Sequence, residues 1–246
     1  GSMAKNLLKW LKNKMSTKKN KYKKVFSVIF LLFLLGILLY LTFNLENRSV
    51  FIVKHIEIKG ADHLTKEQYF KYANFDHIDD YKYLNLTIIK DRIIKHPYIK
   101  DADVEFEGND KVVIDLIEKK FNALYYTGNK QYMVTENLEL VPQLPFTRQL
   151  DYPIITNSLD DNKYKPFYHL KKTDDLINGL KIVSTFKIMN DDLYNKLSEI
   201  DLNNGKSISL VFSVFDYLVY VGRDDVVKRV VYFDNFYNSI RENLYS

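Results

Sequence analysis

Cysteine is absent from the 246 residues, which removes disulfides, cysteine-ligated metal centres and every thiol nucleophile from consideration. Such a composition suits an exported domain in a bacterium that does not rely on oxidative folding. Glycine and proline are scarce as well, at eight and five. No glycine-rich loop that could cradle a phosphate is present, and no G-x-S-x-G nucleophile elbow occurs. The five histidines (His55, His63, His77, His96 and His169) never fall at i, i+3 or i, i+4 on one predicted helix, and none sits in an H-E-x-x-H arrangement. The expectation is therefore no metal, no cofactor and no catalytic set. Acidic residues are missing from the first 24 positions, and no low-complexity stretch occurs beyond that tail.

What the chain does have is a 19-residue apolar run from Val25 to Phe43, in which fifteen residues are Val, Ile, Leu or Phe. As a helix it would reach about 28 Å, close to the hydrocarbon thickness of a bilayer, and insertion would be favoured by roughly 7 kcal/mol. Nine lysines precede it (Lys5, Lys9, Lys12, Lys14, Lys18, Lys19, Lys21, Lys23 and Lys24), whereas only Glu46 and Arg48 follow closely. That asymmetry predicts a single-pass protein with a cytoplasmic N-terminus. Tyr40-Leu41-Thr42-Phe43-Asn44-Leu45 offers no small-residue cleavage site, so an uncleaved anchor is expected rather than a signal peptide. Gly1-Ser2 ahead of Met3 reads as a cloning remnant. Leu7, Leu8, Leu11 and Met15 recur at helical spacing within the tail, consistent with a helix on anionic lipid or with a solvated basic tail. Subtracting the nine tail lysines from the net charge of +5 leaves −4 for residues 25–246, so nucleic-acid binding is not expected.

Beyond the run, alternation around Ile52, Ile56 and Ile58 predicts a strand over Val50–Lys59, ended by Gly60. Thr65 and Gln68 stand at capping-box spacing ahead of a short helix carrying Tyr69, Phe70 and Tyr72. A second helix is expected from about Thr87 to Lys95, stopped by Pro97. Two alternating segments follow, Ala102-Val104-Phe106 and Val112-Ile114-Leu116, joined by a Gly108-Asn109-Asp110 turn. This β-α-α-β-β order buries one sheet face under two helices and leaves the other face or an edge for something else. Further on, Phe121–Thr127 and Gln131–Thr135 flank a Gly128-Asn129 turn, with short strands expected at Leu138–Val141 and Pro153–Thr156. Leu176–Met189 has helical spacing, while Leu197–Leu202, Ser207–Phe212 and Tyr217–Val221 read as strands before a last helix.

The element order, together with Val53-Lys54-His55-Ile56-Glu57-Ile58-Lys59-Gly60, the segment from Ile93 to Val104 and that from Val112 to Lys119, resembles the POTRA domain of the FtsQ/DivIB cell-division proteins. Its placement after a single anchor is similar too. The hairpin at residues 121–135, the proline-bounded strand at Pro153–Thr156 and the step Val219-Tyr220-Val221-Gly222-Arg223-Asp224-Asp225 into a helix resemble that family's second domain. The resemblance covers the whole chain. It implies an α+β fold: a cytoplasmic tail (1–24), a transmembrane helix (25–43), a POTRA domain (50–119) and a second, mostly antiparallel β domain with flanking helices (120–246). The implied function is a non-catalytic divisome scaffold at the septum of the cytoplasmic membrane. It would bind FtsB/DivIC-like and FtsL-like proteins and help recruit or regulate septal peptidoglycan synthesis. In the family a further strand carrying much of the partner surface follows the last helix, whereas this sequence stops at Leu244-Tyr245-Ser246. Either the sequence is cut short there or this member lacks that last strand of the β domain; if the strand is absent, the one beside it becomes an open edge, and Tyr245 is the last position to which a partner role carries over.

Two other readings are weighed beside this one. The doublets Asp79-Asp80, Asp160-Asp161, Asp174-Asp175, Asp191-Asp192 and Asp224-Asp225 could serve a membrane-anchored cell-wall enzyme as acid and base, but such positions more often cap helices. A POTRA chaperone for exported polypeptides is the other. Leu144-Pro145-Phe146-Thr147-Arg148 superficially resembles a sortase signal but is internal, with Arg148 where glycine is required; it reads as a loop. The candidates for partner binding are Tyr217, Val219, Val221 and Tyr245. The first three lie either in a paired interior strand or on an edge open to strand addition.

Overall fold

The computed structural model describes residues 26–41, 53–76, 84–108 and 110–245, with side chains as far as residue 241. The basic tail, both ends of the apolar run, residues 50–52, His77, Asp79-Asp80 and Asn109 lie outside the described residues. The chain divides into two units, Gly1–Phe51 and Ile52–Ser246. In the first, residues 26–41 form helix α1, whose large apolar side chains are exposed. Among the described residues no helix is long and apolar enough to cross a membrane.

The second unit contains two sheets. The smaller has the order β1-β3-β2, built from β1 (His55–Lys59), β2 (Ile99–Glu107) and β3 (Lys111–Glu118), with β1 parallel and β2 antiparallel to β3. Helices α2 (Lys66–Tyr72) and α3 (Leu86–Ile93) lie between β1 and β2 in sequence and bury Tyr69, Ile89 and Ile93 in the core. Both starts are capped as their sequences allow. Thr65 Oγ1 accepts from Gln68 N while Gln68 Oε1 accepts from Thr65 N at 2.7 Å, and Asn85 Oδ1 accepts from Ile88 N at 2.8 Å. Gly60 ends β1 at φ +71°, where a Cβ would meet Leu116 O at 2.6 Å. A larger residue there would face both a left-handed backbone and a main-chain clash.

The larger sheet has the order β10-β9-β8-β7-β4-β5-β6. Its strands are β4 (Phe121–Thr127), β5 (Lys130–Thr135), β6 (Leu140–Pro142), β7 (Ile154–Thr156), β8 (Leu197–Asp201), β9 (Ser209–Phe212) and β10 (Val219–Tyr220). Most neighbours are antiparallel, as expected, but β7 runs parallel to both β4 and β8. The connection from β7 to β8 carries helix α4 (Leu176–Met189) and α5 (Asp191–Lys196), a crossover of the kind parallel strands require. The sequence reading did not anticipate α5, a six-residue helix started by Asn190, whose Oδ1 accepts from Leu193 N. Gly179 lets α4 sit close on the sheet: a Cβ there would come within 2.9 Å of the Ile155 side chain. The last helix, α6 (Val226–Tyr245), packs on α4.

Burial along β4 and β5 shows how the sheets are joined. Ala123, Tyr125, Tyr132 and Val134 belong to the core beneath α4, whereas Leu124 and Met133, pointing the opposite way, belong to the core of the smaller sheet. A bulge between Phe121 and Ala123 shifts the alternation so that Phe121 joins Leu124 on that second side. Strand β6 divides likewise, with Leu140 in one core and Val141 in the other. This part of the sheet is covered on both faces, which explains why three or four consecutive residues are buried where a half-exposed strand would alternate.

Candidate functional site

Two clusters of aromatic and ionisable side chains stand out, one at the junction of the sheets and one at the far edge of the larger sheet. At the junction, the Glu118 carboxylate at the end of β3 accepts from Asp62 N at 3.1 Å, His63 N at 3.1 Å, the His63 ring Nδ1 and the Tyr69 hydroxyl. Burial pushes its pKa up, but the hydrogen bonds from His63 and Tyr69 outweigh this and hold it below the usual range. Burial, reinforced by Glu118, pushes the Tyr69 hydroxyl up. His96 is buried beside Tyr69, Tyr72 and Tyr98, and its Nδ1 accepts from Tyr98 N at 3.1 Å. Burial lowers its pKa to about 4, so the ring is neutral at physiological pH.

Residues 144–148 strap the larger sheet onto this cluster. Leu144 N donates to the Tyr98 hydroxyl at 2.7 Å, Arg148 N to His63 O at 2.8 Å, and Arg148 Nη2 to Leu64 O at 2.7 Å. The segment with superficial sorting-signal character is therefore an internal clasp, and Arg148 is its hook. No group of three metal-capable side chains is found among the described residues. The cluster's bonds tie residues 62–69, the end of β3 and residues 144–148 together.

The Asp160-Asp161 and Asp174-Asp175 doublets are engaged similarly. Asp174 pairs with Lys163 and accepts from Lys171 N at 2.8 Å; Asp175 accepts from Leu159 N at 2.8 Å and pairs with Arg223; Tyr125 donates to Asp161. Asp191-Asp192 stands in the first turn of α5, where acidic residues suit the helix dipole, but the cap itself is Asn190. Asp175 holds the N-cap position of α4 without a side-chain cap bond and binds Arg223 instead.

Arg223 carries the argument to the far edge. Its guanidinium reaches Asp175 at the start of α4 and donates to Leu202 O and Lys206 O, tying the turn after β10 to two other segments. Among the described residues β10 is the last strand of the sheet, hydrogen-bonded to β9 alone through Val219 and Tyr220. Of the expected contact residues, Tyr217 is 62% exposed in the bend before the strand, while Val219 packs partly against the core. Val221 is 4% exposed, its side chain in the core and its N–H bonded to Ile208 O at 3.0 Å. Tyr245 is the last helical residue of α6, beyond the described side chains. The predicted alternation fails because the strand is two residues long.

Beside Tyr217 opens a groove of about 890 Å³ that the sequence reading missed. Phe215, Phe233 and Tyr237 form its floor, partly buried against the core; Val214 and Tyr217 rise on one side, Phe236 and Ile240 on the other. The floor is rooted in rings: Phe233 stacks on buried Phe212 at 5.5 Å, and Phe215 stacks on Tyr217 at 5.1 Å. One end is charged. Asp192 takes both Lys196 Nζ, at 2.6 Å, and Arg241 Nη1, at 3.3 Å. The hydrogen bond with Asp192 raises the Lys196 pKa, and the same bond lowers that of Asp192. The spacing Phe233, Phe236, Tyr237, Ile240 was a readable i, i+3, i+4, i+7 signal. Tyr232 beside it, also exposed, blurs the core-facing stripe.

Comparison with known proteins now bears on this geometry. Residues 51–119 match the FtsQ-type POTRA domain, and residues 123–245 match the C-terminal region of the cell division proteins FtsQ/DivIB. The chain belongs to the FtsQ/DivIB family. Its relatives include the cell division protein DivIB of Clostridium tetani, 33% identical over 109 residues, which are 44% of this chain and 39% of that protein. The cell division protein FtsQ of Zymomonas mobilis is 24% identical over 108 residues, 44% of this chain and 34% of the relative. The aligned stretch thus spans well under half of either relative. The smaller sheet with α2 and α3 is the POTRA domain, and the C-terminal FtsQ/DivIB region contains both β10 and the groove.

Proposed function

We propose that this chain is a bitopic divisome scaffold: a basic cytoplasmic tail (1–24), an anchor (25–43), the POTRA domain (50–119) and a β domain (120–246) outside the cytoplasmic membrane at the septum. The β domain holds FtsB/DivIC-like and FtsL-like partners and thereby helps recruit or regulate septal peptidoglycan synthesis, without chemistry of its own. The observation that carries the reading is the exposed aromatic surface at the sheet edge, where Tyr217, Tyr220 and Phe236 are each more than half exposed. A contiguous apolar patch beside an open strand is what a protein-binding surface requires. The Asp174 and Asp175 carboxylates are instead occupied by lysine, arginine and main-chain donors.

The exposed apolar helix α1 and the lysines before it support the anchor and its orientation. The absence of cysteine makes topology easy to read: a membrane-impermeant maleimide applied to intact cells should label Ser213→Cys and leave Ser16→Cys unlabelled. Binding is tested by pull-down of a purified DivIC-like protein with the full chain. No retention of any division protein would reject the scaffold reading, and release of peptidoglycan fragments by the purified chain would replace it with an enzyme.

A further inference from the structure

We propose that the groove between residues 213–218 and the C-terminal half of α6 receives an amphipathic helix of the division partner, with a carboxylate of that helix on Arg241 and Lys196. The inference rests on the scaffold reading and adds the chemistry of the partner. It is separate from strand addition at β10, because what lines the groove is different.

The lining comes from α6, from α5 and from the bend over residues 213–218, and none of the lining residues belongs to a strand. An extended segment laid there would find no ladder for its amides and carbonyls and would leave them unpaired against rings. A helix satisfies its own main chain and needs only side-chain contacts. The dimensions agree. Phe233, Phe236 and Ile240 span two turns of α6, about 10 Å, the same distance that separates residues i and i+7 of an incoming helix. Apolar residues at i, i+3 or i+4 and i+7 of the partner would therefore meet Phe233, Phe236 and Ile240 in turn.

Charge sets the polarity. At the end of the groove one carboxylate, Asp192, serves two cations, Lys196 and Arg241, and more than half of Arg241 is exposed. These lining residues carry one positive charge in excess, which a carboxylate on the occupant would balance while gaining a charge-assisted hydrogen bond. An occupant with a basic residue at that end would meet repulsion instead.

The test uses the full chain in nanodiscs and the purified extracytoplasmic part of a DivIC-like partner, with affinity read by fluorescence anisotropy. Phe236→Ala and, on the facing wall, Val214→Glu should each weaken binding about tenfold, as loss of an anchor does. Arg241→Glu should weaken it about fivefold or more and be restored by exchanging one acidic residue of the partner helix for lysine. All three positions are exposed, so melting temperatures near wild type confirm that folding is intact. If the wild-type chain fails to bind, the scaffold reading falls and this inference with it. If it binds while the three variants stay within twofold, the scaffold reading stands and the groove proposal is overturned. If sedimentation shows the wild-type chain self-associating and Phe236→Ala making it monomeric, the occupant is a second copy and the proposal is likewise overturned.

Discussion

The ring cluster around Tyr98 and the ring cluster around Phe215 are built from similar residues, yet the chain treats them in opposite ways. At the first, His63, Tyr69, His96, Tyr98 and Phe121 are all buried, Glu118 draws four donor groups together, and residues 144–148 close over the top. At the second, Phe212 is buried and Phe233 half-covered, but Tyr217 and Phe236 face outward and the adjoining ladder ends after two residues. A chain able to cover one aromatic face with its own loop has left another open. The difference teaches that one ring cluster serves to hold the two sheets together, whereas the other stays uncovered among the described residues.

The comparison can be broken first at Glu118. Glu118→Ala would leave the Asp62 and His63 amides, the His63 ring and the Tyr69 hydroxyl without their acceptor; the expected loss is about 3–5 kcal/mol in chemical denaturation. A loss below about 1 kcal/mol would show that the junction is not the lock described. Met133→Ala, which empties a site shared by the POTRA core and the strands of the larger sheet, should cost roughly 2–4 kcal/mol. It should lower a single transition seen by probes in both sheets; two separated transitions would show that the sheets unfold independently.

Acid provides a milder lever. His96 has its folded pKa lowered to about 4 by burial, below an ordinary histidine near 6.5. The unfolded chain therefore takes up a proton that the folded chain refuses. The stability tied to this residue is complete above about pH 6.5 and is lost between there and pH 4, by on the order of 2–3 kcal/mol. His96→Gln should flatten that part of the stability profile; an unchanged profile would remove the assignment. At the other end, Phe236→Ala should change stability by no more than about 0.5 kcal/mol, since the ring is 61% exposed. A cost of 2 kcal/mol or more would mean that the groove is packing rather than an open surface.

Local pattern made much of this readable in advance. The Thr65–Gln68 box, the Phe121–Thr127 strand and the Leu176–Met189 helix follow from spacing over a few residues. What escaped the sequence depends on distant partners. The parallel pairing of Ile155 with both Tyr125 and Ile200 leaves no trace in the alternation of any one strand. The division of Leu124 and Tyr125 between two cores turns a pattern into an uninterrupted apolar run, which is equally compatible with other buried arrangements. At the edge, spacing over Tyr217–Val221 leaves an interior strand and an open edge both readable, and it does not show that only Val219 and Tyr220 pair with β9 while Val221 turns into the core ahead of Gly222, at φ +67°. The groove needs residues from Asp192 to Arg241, and spacing along α6 alone does not say what stands opposite.

The brevity of β10 has a consequence for molecules that should not bind. A long bare edge would accept almost any unfolded polypeptide passing through the same compartment, and would align with copies of itself into growing stacks. Two residues of ladder are too few to reward such indiscriminate pairing. An extended chain laid along so short a ladder gains few main-chain hydrogen bonds, so brevity itself guards against indiscriminate stacking.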